Sequence, residues 1–270
     1  MRFYFQCVLA ACLFIPMVAN AESEVSFAKT VQNPLAVNPE ARYFTLPFNN
    51  YTNFDYGSPN HTQDLLDLKP VTPFRFTSSY DLIFRTIIQF AHQPSSDGYT
   101  NGLGDINTTA FIAPAKNSNF LWGIGPTLTM PTATNKNLGA GKWSVGPELA
   151  LIAMPEQWTF AILTNNIWSV AGESNRVHVN QFSFQYYITY NLPSGWYVTT
   201  QPTITANWIS PPSQQWTVPV GGGAGRAFHI GHQAVNLLLE SYSNVIRPKT
   251  GARWFVQANL TFLFPDNRTA

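Results

Sequence analysis

Six charged side chains, Asp67, Lys69, Arg85, Asp105, Glu148 and Glu240, fall within stretches that alternate apolar residues with small or polar ones. An ionisable group away from water must be paired or must face a polar space. Each of the six has the parity opposite to the larger apolar residues of its stretch. In an extended chain this turns it to the other face. Two kinds of chemistry fit the set. Four carboxylates against Lys69 and Arg85 could line a mildly cation-preferring constriction. Equally, the groups could pair across neighbouring strands and do no more than hold a polar interior.

Other patterns that could carry chemistry point nowhere further. Gly221-Gly222-Gly223-Ala224-Gly225 lacks the Lys-Ser/Thr and the helix of a phosphate-binding loop. It reads instead as a strand with almost no side chains on its inner face, leaving room inside. The five histidines, His61, His92, His178, His229 and His232, all fall in expected loops or turns. None lies on a strand wall two residues from a serine of the same parity, where a nucleophile and its base could meet. No metal site and no cofactor is expected.

The start of the chain accounts for both cysteines. Arg2, the apolar run Phe3 to Val18 and the small-x-small Ala19-Asn20-Ala21 have the form of an export signal over residues 1–21, for the Sec pathway. Leu9-Ala10-Ala11-Cys12 has the form of a lipobox, but a further apolar stretch follows it. With Cys7 and Cys12 in the leader, the mature chain (270 less 21, or 249 residues) has no disulfide and no thiolate ligand. Loss of Arg2 also leaves it formally neutral, with 14 basic and 14 acidic side chains and no clustered basic surface for nucleic acid. Charged residues make up 11% of the chain and aromatics 14%. The usual charged share is about a quarter, so this surface suits lipid better than water. After the leader there is no apolar run long enough for a transmembrane helix.

The elements that must position the six charges are twelve alternating segments. The clearest is Gln181 to Tyr190, with Phe182, Phe184, Tyr186, Ile188 and Tyr190 on one face. The others fall near 44–55, 62–75, 80–90, 104–114, 120–131, 142–153, 158–169, 196–208, 215–228, 233–244 and 253–264. The connectors 77–79, 115–119, 154–157, 191–195 and 229–232 are short. Those at 56–61, 91–103, 132–141, 170–179, 209–214 and 245–252 are mostly longer. Short turns at one end and longer loops at the other describe a closed antiparallel barrel of the outer-membrane type, with both termini in the periplasm.

The tryptophans agree with that orientation. Trp122, Trp158 and Trp196 sit near periplasmic strand ends, and Trp143, Trp168, Trp208, Trp216 and Trp254 near outer ones. These are positions where an indole can anchor at the membrane interface. Arg226 shares parity with Val218 and Val220, and lies where it could reach the headgroups. Residues 22–43 precede the barrel (44–264), and residues 265–270 follow as a short tail. Phe27, Val31 and Leu35 would let the leading segment plug the lumen or cover its mouth; a flexible tail fits equally. Twelve strands give a backbone diameter of roughly 24 Å and a passage of about 10 Å or less.

Specific motifs sit on these strands: Gly102-Leu103-Gly104-Asp105-Ile106, Trp122-Gly123-Ile124-Gly125-Pro126 with Pro131-Thr132-Ala133-Thr134, and Gly141 to Pro147. Asn165-Asn166-Ile167-Trp168-Ser169, Asn191 to Tyr197 and Trp216 to Gly223 complete the set. Over roughly residues 28–264 the chain resembles the outer-membrane barrels grouped with the meta-pathway phenol-degradation proteins, whose relatives often carry the label "neuromedin U". The resemblance implies a transport barrel and supplies neither a substrate nor a catalytic residue. Such chains commonly end at the last aromatic strand residue, whereas six residues follow Phe264 here, so the signal read by the barrel assembly machinery is expected to be slightly atypical. The expected function is an outer-membrane channel for small solutes, with aromatic or hydrophobic compounds among them. A structural or adhesive barrel and a lipid-modifying enzyme are the alternatives. The expected partners are outer-membrane lipid, the assembly machinery and a solute whose identity the sequence does not reveal.

Overall fold

The computed structural model describes residue 29 and residues 43–57, 60–95, 98–115 and 120–265. The two-residue alternation produces β1 (Tyr43–Tyr56), β2 (His61–Leu68), β3 (Val71–Arg75), β4 (Tyr80–Ser95) and β5 (Gly98–Leu103). Next come β6 (Ile106–Pro114), β7 (Phe120–Met130), β8 (Lys142–Ala153), β9 (Trp158–Gly172) and β10 (Asn180–Asn191). The last are β11 (Trp196–Thr200), β12 (Thr203–Asn207), β13 (Trp216–Ile230), β14 (Gln233–Ile246) and β15 (Trp254–Pro265).

Each of β2 with β3, β5 with β6, and β11 with β12 forms one wall strand, interrupted at Lys69-Pro70, Gly104-Asp105 and Gln201-Pro202. The wall therefore has twelve strands, all antiparallel to their neighbours. It closes where β1 pairs β15, from Tyr43↔Pro265 to Phe54↔Trp254. Phe44 and Phe264 bring their rings to 5.8 Å on the outside of that closure.

Several strands outrun their expected ends. Within the segment 91–103, expected as a loop, residues 91–95 continue β4 and residues 98–103 form β5, paired from Phe90↔Leu103 to Ser95↔Gly98. The lipid-facing alternation fades there because the outward side carries His92 and Asn101, which suit water rather than acyl chains. The expected placement of all five histidines in loops fails for the same reason. His61 opens β2, His92 lies on β4 and His229 on β13, while His178 and His232 do lie in a loop and a turn. β9 runs to Gly172, so Trp168 stands inside the strand rather than at its end.

Inside the short-turn half, Ile83, Phe111, Leu121, Ile152 and Leu163 pack as a buried apolar cluster. The space expected above the glycines of β13 is also taken. Tyr197 lies across β13, its ring where a Cβ on Gly225 would stand, and its hydroxyl donates to Asn236 Oδ1 on β14 at 2.7 Å. The glycine strip works as a shelf for side chains from both neighbouring strands.

The expected leader 1–21 and the residues after Pro265 lie outside the described residues. So does the segment 22–43, apart from Lys29 and Tyr43. Lys29 Nζ donates to the Met154 carbonyl at 3.4 Å, in the short connector between β8 and β9. Burial lowers its pKa from the ordinary lysine value, with the charge of Glu156 opposing.

Gly225→Val must displace Tyr197 and break its bond to Asn236. Overpacking of this kind costs about 1–3 kcal/mol, to be read as a lower urea midpoint of the folded barrel by gel mobility. An unchanged midpoint would contradict the shelf.

Candidate functional site

The inward residues enclose a lumen cavity of about 880 Å³. Of its forty-two lining residues, thirteen are Asn or Gln and five are charged, so hydrogen-bonding amides rather than charges set its chemistry. They are linked across strands. Asn53 Nδ2 donates to Gln63 Oε1 at 3.1 Å, Gln63 Nε2 to Gln93 Oε1 at 3.0 Å, and Gln93 Nε2 to the Asn137 carbonyl at 3.3 Å.

Four of the six expected lumen charges form two pairs. Asp67 Oδ2 lies 3.2 Å from Lys69 Nζ, while Asp67 Oδ1 accepts Gln89 Nε2 at 3.0 Å. Lys69 Nζ also donates to the Tyr51 hydroxyl at 2.9 Å. Arg85 Nη2 makes an ion pair with Glu148 Oε1, and the Thr109 hydroxyl donates to Glu148 Oε2 at 2.6 Å. Glu148 can reach Thr109 because the intervening strand, β7, places Gly125 opposite it. Asp67, Lys69, Arg85, Asp105 and Glu148 line the cavity.

The other two acids stand apart. Glu240, 2% exposed, accepts Gln201 Nε2 at 2.8 Å and the Tyr242 hydroxyl at 2.7 Å. Asp105 accepts the backbone N–H of Ala133 at 3.2 Å and of Ala140 at 2.6 Å, which binds it to both ends of the loop 131–141.

That loop folds inward. Its Leu138 is buried and lies against Gly102 of β5 and Gly104 just after it, small residues that leave room for it. From the far side, Arg176 donates Nε to the Ala140 carbonyl at 3.1 Å and Nη2 to the Lys136 carbonyl at 2.9 Å. An arginine with its five donors suits this clasp of several carbonyls.

The outer face carries aromatic bands at both ends. Trp158 packs on Tyr190 at 4.9 Å and Tyr80 on Trp122 at 6.4 Å at the short-turn end, where Arg226 also lies 5.4 Å above the Trp196 ring. At the loop end Trp208 meets Trp216 at 5.3 Å and Phe54 stacks on Trp254 at 4.1 Å, with Trp143 and Trp168 exposed beside them.

Residues missed from sequence are the uncharged partners Tyr51, Gln89, Gln201 and Tyr242, together with Arg176. Parity alone could have turned the first four inward, but only a register assigns them partners. In the loop after β9, His178 Nδ1 lies 3.3 Å from the Ser169 hydroxyl. Ser169 Oγ also accepts the Val179 N–H at 3.0 Å, so the contact closes the loop after β9.

A closed twelve-strand antiparallel wall, apolar outside and amide-rich inside, defines an outer-membrane-type β-barrel. Residues 39–225 match the family described as "Putative MetA-pathway of phenol degradation", and the chain belongs to that family. Its fold is similar to that of an outer-membrane channel from Pseudomonas putida F1, at 18% identity and a TM-score of 0.63, covering 83% of this chain and 94% of that one. Weaker likenesses join it to outer-membrane phospholipase A from Escherichia coli (12% identity, TM-score 0.47, 90% of this chain and 98% of that one). Another is to the toluene transporter TodX of Pseudomonas putida (9%, TM-score 0.42, 89% and 93%). No curated protein sequence matches the chain.

Arg85→Met leaves Glu148 buried without its counter-charge, which costs about 3–5 kcal/mol. Replacing both by Met removes the lone charge and should recover most of that loss in urea unfolding. A double variant as unstable as Arg85→Met would contradict the pairing.

Proposed function

We propose that this chain is an outer-membrane channel that passes small, mainly uncharged solutes by diffusion. The observation that carries the reading is the lumen itself. Its 880 Å³ lies within the range of about 300–1,000 Å³ typical of small-molecule sites, and it is walled by amides and hydroxyls with its ion pairs internally satisfied. A solute exchanging hydrogen bonds with such a wall binds weakly at many points, as passage requires. Tyr51, Tyr187 and Phe255 add ring surface beside polar groups. With the family's description, this favours small phenolic or other aromatic solutes. The P. putida channel of similar fold, described as an outer-membrane channel, supports the same reading.

Export through the Sec pathway, insertion by the barrel assembly machinery and periplasmic termini belong to this proposal. So does anchoring by the eight tryptophans in outer-membrane lipid. Catalysis does not, because the Ser169 hydroxyl is engaged in closing a loop. An adhesive role would want larger outer loops than those between these strands.

Reconstitution in planar bilayers should give single-channel conductance, and no conductance from correctly folded protein would contradict the proposal. Because Asp67 and Glu148 are paired with Lys69 and Arg85, and Asp105 and Glu240 are engaged by neutral donors, the reversal potential in a salt gradient should lie close to zero, and Glu148→Gln should disturb folding more than selectivity. A strong cation potential abolished by Asp105→Asn would instead favour the constriction reading.

Asp105→Ala frees both ends of the inward loop. Open-channel current should become larger and noisier at unchanged barrel stability. Identical traces would show that the loop does not narrow the path.

A further inference from the structure

The polar wall of the lumen is engaged on one side and free on the other. Along β1, β2 and β4 the inward groups already hold one another: Asn53 with Gln63, Gln63 with Gln93, Gln89 with Asp67, and Lys69 with Tyr51. On β9, β10 and β12 the side chains of Asn165, Gln181, Ser183, Tyr187, Thr203 and Thr205 line the same cavity. Among the described residues, none of these six side chains forms a hydrogen bond. β10 stands six wall strands from β2/β3 in either direction, so the two sides face each other across the lumen.

The free groups form a descending line. Asn165, Ser183 and Thr205 stand side by side in register on three neighbouring strands. Gln181 lies one inward position above Ser183, toward the loop end, and Tyr187 lies two below it. From Gln181 to Tyr187 is about 20 Å of strand. Leu163 and Ile167, the inward neighbours of Asn165 on β9, set an apolar surface beside its amide. At the lower end the Tyr187 ring packs on the buried apolar cluster. The charges of Lys69 and Arg85, from the facing side, act on its hydroxyl, which therefore reaches toward the middle of the passage. At the upper end Gln181 also lines a second cavity, of about 510 Å³, with Arg176, His178 and Ile209 of the outer loops. One residue thus joins an outer vestibule to the line.

We propose that the inner face of β9, β10 and β12 is a binding track for small uncharged ring compounds that carry a hydroxyl, entered past Gln181 and ending at Tyr187. The track rests on the channel reading above and names where in that lumen the solute binds. A solute hydroxyl can bond to Asn165, Ser183 or Tyr187 without displacing any bond within the protein. On the facing wall it must first break one, which cancels most of the gain. The ring meanwhile lies on Leu163, Ile167 or Tyr187, apolar surfaces that an open-chain polyol cannot match. No charged side chain stands among the six, so the track offers an ion no counter-charge.

Resorcinol, a neutral ring with two hydroxyls, is the probe, added at increasing concentration to single channels in planar bilayers. It should lower the open-channel current reversibly and to saturation, whereas glycerol at equal concentration should not. Tyr187→Phe and Ser183→Ala, each read against its own solute-free current, should raise the half-blocking concentration about three- to tenfold, as the loss of one hydrogen bond does. Current indifferent to resorcinol, block that neither substitution weakens, or equal block by glycerol overturns the track and leaves the channel standing. Absent conductance in the unmodified protein overturns the channel reading itself.

Discussion

A bilayer core offers no hydrogen bonds, and that single constraint shapes this molecule. Each backbone N–H and C=O must find a partner within the protein, at a cost of several kcal/mol for each one left bare. The strand edges must therefore meet, and β1 on β15 is where they do. Once the wall is closed, parity sorts side chains between two solvents. Leu260, Phe262 and Phe264 face lipid, while Gln257, Asn259 and Thr261 on the same strand face the lumen.

The interior obeys the same rule on a smaller scale. Many of its polar groups stand close to one another and are joined into pairs and chains. Lys69 answers Asp67, Arg85 answers Glu148, and Gln63 passes from Asn53 to Gln93. Inward glycines make this possible, because a strand without side chains lets its neighbours reach across it. Gly125 does so for Glu148 and Gly225 for Tyr197. Where Pro202 and Pro219 interrupt the pairing between β11/β12 and β13, the Tyr242 hydroxyl and the Gln185 side chain take up the N–H and carbonyl of Gln201.

Strand number and the facing of residues were legible in the sequence, because a two-residue period under lipid is a strong signal. The inward parity of Arg85 and Glu148 could be read from Phe84 and Leu149 beside them. Their partnership could not, since it depends on a register across three strands and on a glycine between. The hairpin formed by the end of β4 and β5 was hidden because strands that leave the bilayer lose the outward apolar residues that mark them. Asp105 was expected among the carboxylates of a constriction, yet its carboxylate accepts two backbone N–H groups of a loop some thirty residues further on. The interrupted pairing between β11/β12 and β13 had a local sign in Pro202 and Pro219, but only the register shows that they fall in one gap.

The central claim is that one face of each strand meets water inside a closed wall and the other meets lipid. Single cysteines placed in turn at Gln181 to Tyr190, in protein held in bilayers, test it most directly with a membrane-impermeant maleimide. The account predicts labelling at positions 183 and 185 and protection at 184 and 186. Uniform labelling, or labelling of the opposite set, would contradict it.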